Sequence, residues 1–150
     1  MEEIVGVDIF VDDTGRDPYL SFRSILVVDD SNSTRMIIFK MLRALDLPQV
    51  FEAASAAGAF ALMHNTRVDL VIADINMPDV DGLKLLAAIR SKPALADATV
   101  LLMTASRQTT LVSEALAAGA DGYLLKPFSA EQLKSTLNRA AIRRAAKAAG

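Results

Sequence analysis

The chain has 150 residues, enough for one domain with its own core; 52% are hydrophobic and only 5% aromatic, so aliphatic side chains and methionines must fill that core. It has no cysteine, which excludes a disulfide scaffold, a thiolate metal site and thiol chemistry, and no apolar run of the roughly 18–20 residues a membrane span requires. The net charge of −2 gives no general pull toward nucleic acid, and an opening with Glu2 and Glu3 argues against a secretory signal, so a soluble cytoplasmic protein is expected.

Residues 1–24 stand apart from the pattern that follows. They hold six acids against Arg16 and Arg23, a balance of −4 that leaves +2 for the remainder. IVGVDIFVDD has strand-forming residues, but Gly15 and Pro18 break the run. An edge strand, a partner-binding arm and a loose tail all fit, so residues 1–23 are set aside as an extension of unknown role and 24–150 as the domain. Phe10-Val11-Asp12-Asp13 mimics Val27-Val28-Asp29-Asp30, yet the first pair of acids runs into a turn and the second into cap residues followed by helical periodicity.

From Ile25 the chain alternates. Ile25–Val28 reads as a short strand and Ser31–Leu45 as a helix, with Ile37, Met41 and Leu45 on one face and Ile38 and Leu42 beside it; Pro48 closes the connection. Val50–Ala53 is a less apolar strand because of Glu52, and Ser55–His64 a helix interrupted only by Gly58. Leu70–Asp74 is a buried strand, followed by the Pro-, Asp- and Gly-rich loop that enters a helix over Leu83–Arg90. Thr99–Thr104 is the fourth strand, Gln108–Ala118 a helix stopped by Gly119, and Gly122–Lys126 the fifth strand. Ser129 and Gln132 form a capping box for a final helix that the Ala-rich tail after Arg139 extends. Met36, Met41, Met63 and Met103 read as core filler and His64, the one histidine, as a surface residue. The cations from Lys134 to Lys147 read as a solvated helix face.

Five strands alternating with five helices imply right-handed crossovers and a parallel sheet covered on both faces. The C-terminal ends of parallel strands share one rim, and four of them carry polar groups: Asp29-Asp30, Asp74, Thr104 and Lys126. Carboxylates gathered this closely repel unless a cation lies between them, and Mg²⁺ (or Mn²⁺) suits a few hard oxygens with room for water. Asp74 then has the chemistry of a nucleophile toward phosphorus, with the ion and Lys126 neutralising the transferring group.

These residues carry a specific resemblance. LVVDD (Leu26–Asp30), DINMPDVDG (Asp74–Gly82), MTA (Met103–Ala105) and GYLLKPF (Gly122–Phe128) resemble the ordered motifs of the response regulator receiver domains, most of all the chemotaxis-type single-domain members, over about residues 24–140. The resemblance implies a flavodoxin-like α/β fold: a doubly wound five-stranded parallel sheet in the order 2-1-3-4-5. It further implies that Asp74 is the phosphoacceptor and that Asp30, Asp74 and the Asn76 backbone carbonyl bind the metal, with Asp29 acting through water. Lys126 and Thr104 would contact the phosphoryl group, Thr104 and Tyr123 would form a switch, and the Lys126–Pro127 bond would be cis. The surface that changes would be that of the fourth helix, fifth strand and fifth helix. The first helix, near Thr34, Arg35 and Ile38, would dock the histidine kinase or histidine phosphotransfer protein.

The expected function is therefore a stand-alone phosphorylation switch, a monomer or weak dimer with no DNA-binding domain, not an enzyme beyond self-phosphorylation and autodephosphorylation, whose output passes to a protein partner. A different class of reading makes the domain a scaffold in which Arg139, Arg143 and Arg144 clamp an anionic nucleotide messenger. A third, phosphohydrolase chemistry at Asp74, is disfavoured by Asn76, which stands where a second acid would drive hydrolysis.

Overall fold

The computed structural model describes residues 15–47 and 49–149; the readings made for residues 1–14 and for Pro48 lie outside them. The strands are β1 (Ile25–Val28), β2 (Val50–Ala53), β3 (Leu70–Asp74), β4 (Thr99–Thr104) and β5 (Gly122–Leu125). The helices between and after them are α1 (Asn32–Ala44), α2 (Ala56–Asn65), α3 (Gly82–Ser91), α4 (Thr109–Ala117) and α5 (Ala130–Ala149). All strand pairs are parallel, in the order β2-β1-β3-β4-β5.

Local chemistry sets the element ends. Ser31, Ser55 and Asp81 each accept a hydrogen bond from the backbone N–H three residues on, satisfying one of the free donors at the starts of α1, α2 and α3. At α5 the Ser129 hydroxyl accepts from Gln132 N while Ser129 N donates to Gln132 Oε1, a reciprocal capping box. Gly119, with φ +105°, ends α4 in the left-handed region. α1 ends with Asp46 at φ 67°, and Leu47 N then reaches back to Leu42 O at 3.0 Å.

Strand side chains alternate between two cores, which is why the strands read as unbroken apolar runs. Leu26, Val28, Val71, Ala73, Val100 and Leu102 face α2, α3 and α4, with Leu85, Leu86 and Ile89 of α3 prominent. Ile25, Val27, Leu70, Ile72, Leu101 and Met103 face α1 and α5.

The structure corrects one expectation about packing and decides one that was open. In α1, Ile38 and Leu42 form the buried stripe, whereas Ile37 is 56% exposed and Met36 58%, so neither fills the core. Their apolar band is wider than the strip of helix that touches the sheet. Residues 17–22, for which an edge strand, a partner-binding arm and a loose tail were all open, pack on the domain. Pro18–Ser21 forms a single 3-10 turn, and Tyr19 and Phe22 are buried in the α1–α5 core. Tyr19 N donates to Asn138 Oδ1 of α5, and its phenol donates to Leu45 O at the end of α1. Asn138 Nδ2 donates in turn to Asp17 Oδ1. Two aromatics that would be hydrated in a loose tail supply the driving force.

Candidate functional site

β1 and β3 are neighbours although β2 comes between them in sequence, so the chain leaves them in opposite directions and opens a crevice at their C-terminal ends. Asp29 and Asp30 follow β1, and Asp74 is the last residue of β3. One carboxylate oxygen from each of these three residues lies within 4.8 Å of the others. Asp29 and Asp74 are buried and Asp30 is exposed. Lys126, just past β5, places Nζ 2.9 Å from Asp29 Oδ2 and 3.3 Å from Asp74 Oδ2. Thr104 ends β4 beside them, its hydroxyl oxygen accepting from Ser106 N at 3.0 Å and its carbonyl from Lys126 N at 2.8 Å. The Lys126–Pro127 peptide is cis.

The loop after β3 is held close. Asp74 Oδ1 accepts from Asn76 N at 3.3 Å, and Gly82 N donates to Ile75 O at 2.9 Å. A Cβ on Gly82 would stand 2.5 Å from the Asp74 carbonyl oxygen, so only glycine lets α3 begin this near the end of β3.

Electrostatically the crevice carries three carboxylates against one ammonium. Burial pushes the Asp74 carboxyl above its usual range; Lys126 pulls it down and Asp29 pushes it up again, leaving it raised. Burial lowers Lys126, but its hydrogen bond to Asp29 and the charges of Asp74 and Asp29 outweigh this and hold it above its ordinary value. The remaining negative charge, the all-oxygen donor set and the open side at Asp30 and Asn76 fit a hard divalent cation that keeps part of its water.

One residue the sequence reading placed only on a docking face belongs to this crevice. Arg35 of α1 donates through Nη1 to the Asp29 carbonyl (2.5 Å), through Nε to Glu52 Oε1 (2.9 Å) and through Nη2 to Asn32 Oδ1. Its Asn32 contact within α1 is local, but the partners that bring it to the crevice lie on β2 and on the loop it folds back over.

Tyr123 is 43% exposed on β5. It lines a groove of about 390 Å³ with Leu116 of α4 and Gln132, Arg139 and Arg143 of α5. The three arginines do not converge on one ligand position. Arg139 and Arg143 line this groove, whereas Arg144 lies 3.5 Å from Asp69 at the start of β3, with its guanidinium over the Phe22 ring. His64 is exposed, its Nδ1 2.8 Å from Phe60 O.

Comparison with known proteins agrees with the fold. The family description "Response regulator receiver domain" fits residues 25–138. The chain is 36% identical over 115 residues to the chemotaxis protein CheY of Pseudomonas aeruginosa, a match covering 77% of this chain and 93% of that protein. It is equally 36% identical over 115 residues to the chemotaxis protein CheY-3 of Vibrio cholerae, covering 88% of it. The solved structure of the chemotaxis response regulator CheY4 of Vibrio cholerae superposes with a TM-score of 0.73 at 33% identity, covering 78% of this chain and 97% of that one. With its strand order, its acidic crevice and these relatives agreeing, the chain belongs to the response regulator receiver domains.

Proposed function

We propose that this chain is a phosphorylation-dependent switch in which Asp74 takes a phosphoryl group from a phosphohistidine of a histidine kinase or histidine phosphotransfer protein. The observation that carries the reading is the buried Asp74 carboxylate at a strand end, with Lys126 Nζ 3.3 Å from one of its oxygens and two further acids within reach. Burial makes this carboxylate more basic than a solvated one and so a better nucleophile. An Asp74 oxygen attacks phosphorus, the phosphorus–nitrogen bond breaks, and its electron pair returns to the imidazole, leaving an acyl phosphate on Asp74. Asp30, Asp74 and the Asn76 backbone carbonyl would hold Mg²⁺ (or Mn²⁺), with Asp29 reaching it through water. When bound, the ion supplies positive charge against the phosphoryl oxygens. Lys126 moves its donors from the two carboxylates to a phosphoryl oxygen. The Thr104 hydroxyl, already accepting from Ser106 N, keeps its own proton free to donate to another.

Thr104 drawn toward the phosphoryl group vacates space that Tyr123, now exposed, turns to fill, and the α4-β5-α5 surface changes for a protein partner. In this reading residues 24–150 are the receiver, residues 1–23 an extension of unknown role, and the chain signals without turning over a substrate beyond its own phosphorylation and dephosphorylation. A cytoplasmic location and a monomer or weak dimer accord with such a phosphodonor and output. Asp74→Asn and Asp74→Ala should each abolish labelling by acetyl phosphate in the presence of Mg²⁺. Undiminished labelling of a folded variant overturns the assignment.

A further inference from the structure

We infer that Arg35 is a positioning residue for the divalent cation: by gripping the Asp29 carbonyl it sets the Asp29–Asp30 peptide plane and so aims Asp30 at Asp74. The inference rests on the metal site proposed above and concerns a residue outside the ligand set.

The two acids of the pair are held very differently. Asp29 is fixed at every polar atom: N donates to Ala53 O, O accepts from Arg35 Nη1, Oδ1 accepts from Ser31 N, and Oδ2 accepts from Lys126 Nζ. Asp30 is exposed, and among the described residues no hydrogen bond or ion pair holds its carboxylate. Its direction is therefore inherited from the backbone on either side, the following peptide being held by Ser31 N on Asp29 Oδ1 and the preceding one by the Asp29 carbonyl. The Asp29 carbonyl belongs to the peptide joining the two residues, and a rigid planar peptide passes its orientation straight to the next Cα. Arg35 is well placed to fix that plane. Its side chain is 11% exposed, and Glu52 holds Nε at the end of β2 while Asn32 holds Nη2 at the start of α1. The planar guanidinium is thus anchored on two elements and offers Nη1 to the third.

A cation site whose ligand is pre-aimed loses less ordering entropy on binding than one whose loop must first settle, and outer partners of this kind commonly alter metal affinity by about 10–100-fold. The sign separates this role from a charge effect. Arg35 is a cation beside a cation site, so if charge alone mattered, a neutral replacement would tighten metal binding. Positioning requires the opposite.

The test is calorimetric titration of the full-length protein with Mg²⁺, repeated with Mn²⁺ followed by the electron paramagnetic resonance signal of the free ion. Arg35→Met should weaken binding about tenfold, with affinity measured well below the variant's melting temperature so that stability does not enter. Should Arg35→Met not fold, Arg35→Gln, also neutral and too short to reach the Asp29 carbonyl, is read in the same way. A neutral variant that binds as tightly as wild type, or more tightly, overturns the role of Arg35 alone. Wild-type protein that takes up neither ion, or an Asp30→Asn variant that binds like wild type, overturns the metal site itself and this inference with it.

Discussion

Tyr19 shows how much one side chain can tie together. Its ring is buried between α1 and α5, its N–H serves Asn138, and its phenol serves the Leu45 carbonyl. Removing the hydroxyl in Tyr19→Phe should cost about 1 kcal/mol at neutral pH, the net worth of an ordinary hydrogen bond, read by urea unfolding. Burial, then Asp17 and Asp46, raise its phenol above the ordinary 10.0. The folded chain therefore keeps this proton to higher pH than the unfolded chain, and stability that is complete below about pH 10 falls as pH climbs through the raised value. Lys126, raised above 10.5, acts in the same direction at higher pH. Tyr19→Phe should therefore show a shallower loss of stability above about pH 10, without becoming flat, because the Lys126 contribution persists. An unchanged slope would show that the phenol does not titrate differently on folding.

Between elements, the junction of β3 and α3 governs the crevice. Gly82 starts α3 against the backbone of Asp74 and Ile75, at a separation that leaves no room for a methyl group. Gly82→Ala must push α3 away from the β3 end or displace Asp74. We expect a loss of about 1–3 kcal/mol, the usual range for overpacking, together with weaker Mg²⁺ binding because Asp74 moves with its carbonyl. Thermal unfolding and calorimetry measure the two separately; a fully stable variant with intact Mg²⁺ affinity would contradict the close approach. α1 teaches a related lesson. Its Ser31 cap and its Asp46 ending are local, but which of its apolar residues faces the sheet is a property of how the helix lies, and Ile37 falls outside the contact.

At the scale of the molecule, the two ends of the sheet have separate duties. The C-terminal rim gathers the acids and Lys126, while the N-terminal edge is bound by two ion pairs and a backbone hydrogen bond from beyond the family's matched span. Arg144 reaches Asp69 before β3, Lys147 lies 3.7 Å from Asp121 before β5, and Arg23 N donates to Asp69 Oδ2. Phe22 packs at this edge, 2% exposed, beneath the Arg144 guanidinium. Phe22→Ala should destabilise the domain by about 3–5 kcal/mol, as large-to-small changes of a buried aromatic do, measured by equilibrium unfolding in urea. Because Asp74 lies at the opposite end of the sheet, phosphoryl labelling of the folded fraction should stay at the wild-type level. Labelling lost in step with Phe22 would mean that the two ends are coupled.

What could be read from the linear chain was what short windows encode. The strand runs, the Ser129–Gln132 capping box, the stop at Gly119 and the polar residues at four strand ends all depend on neighbours within a turn or a strand length. Parallel strands then oblige those ends to meet at one rim, so the gathering of Asp29, Asp30, Asp74 and Lys126 there followed from the sequence, although Arg35 did not. What depended on partners far along the chain could not be read that way. The burial of Tyr19 rests on Asn138, 119 residues away, and the place of Arg35 in the crevice rests on Glu52 and on a carbonyl it must fold back to reach. Only tertiary packing decides such contacts, because an aromatic in a polar segment or an arginine on a helix has many satisfactory neighbours, and the fold selects one set.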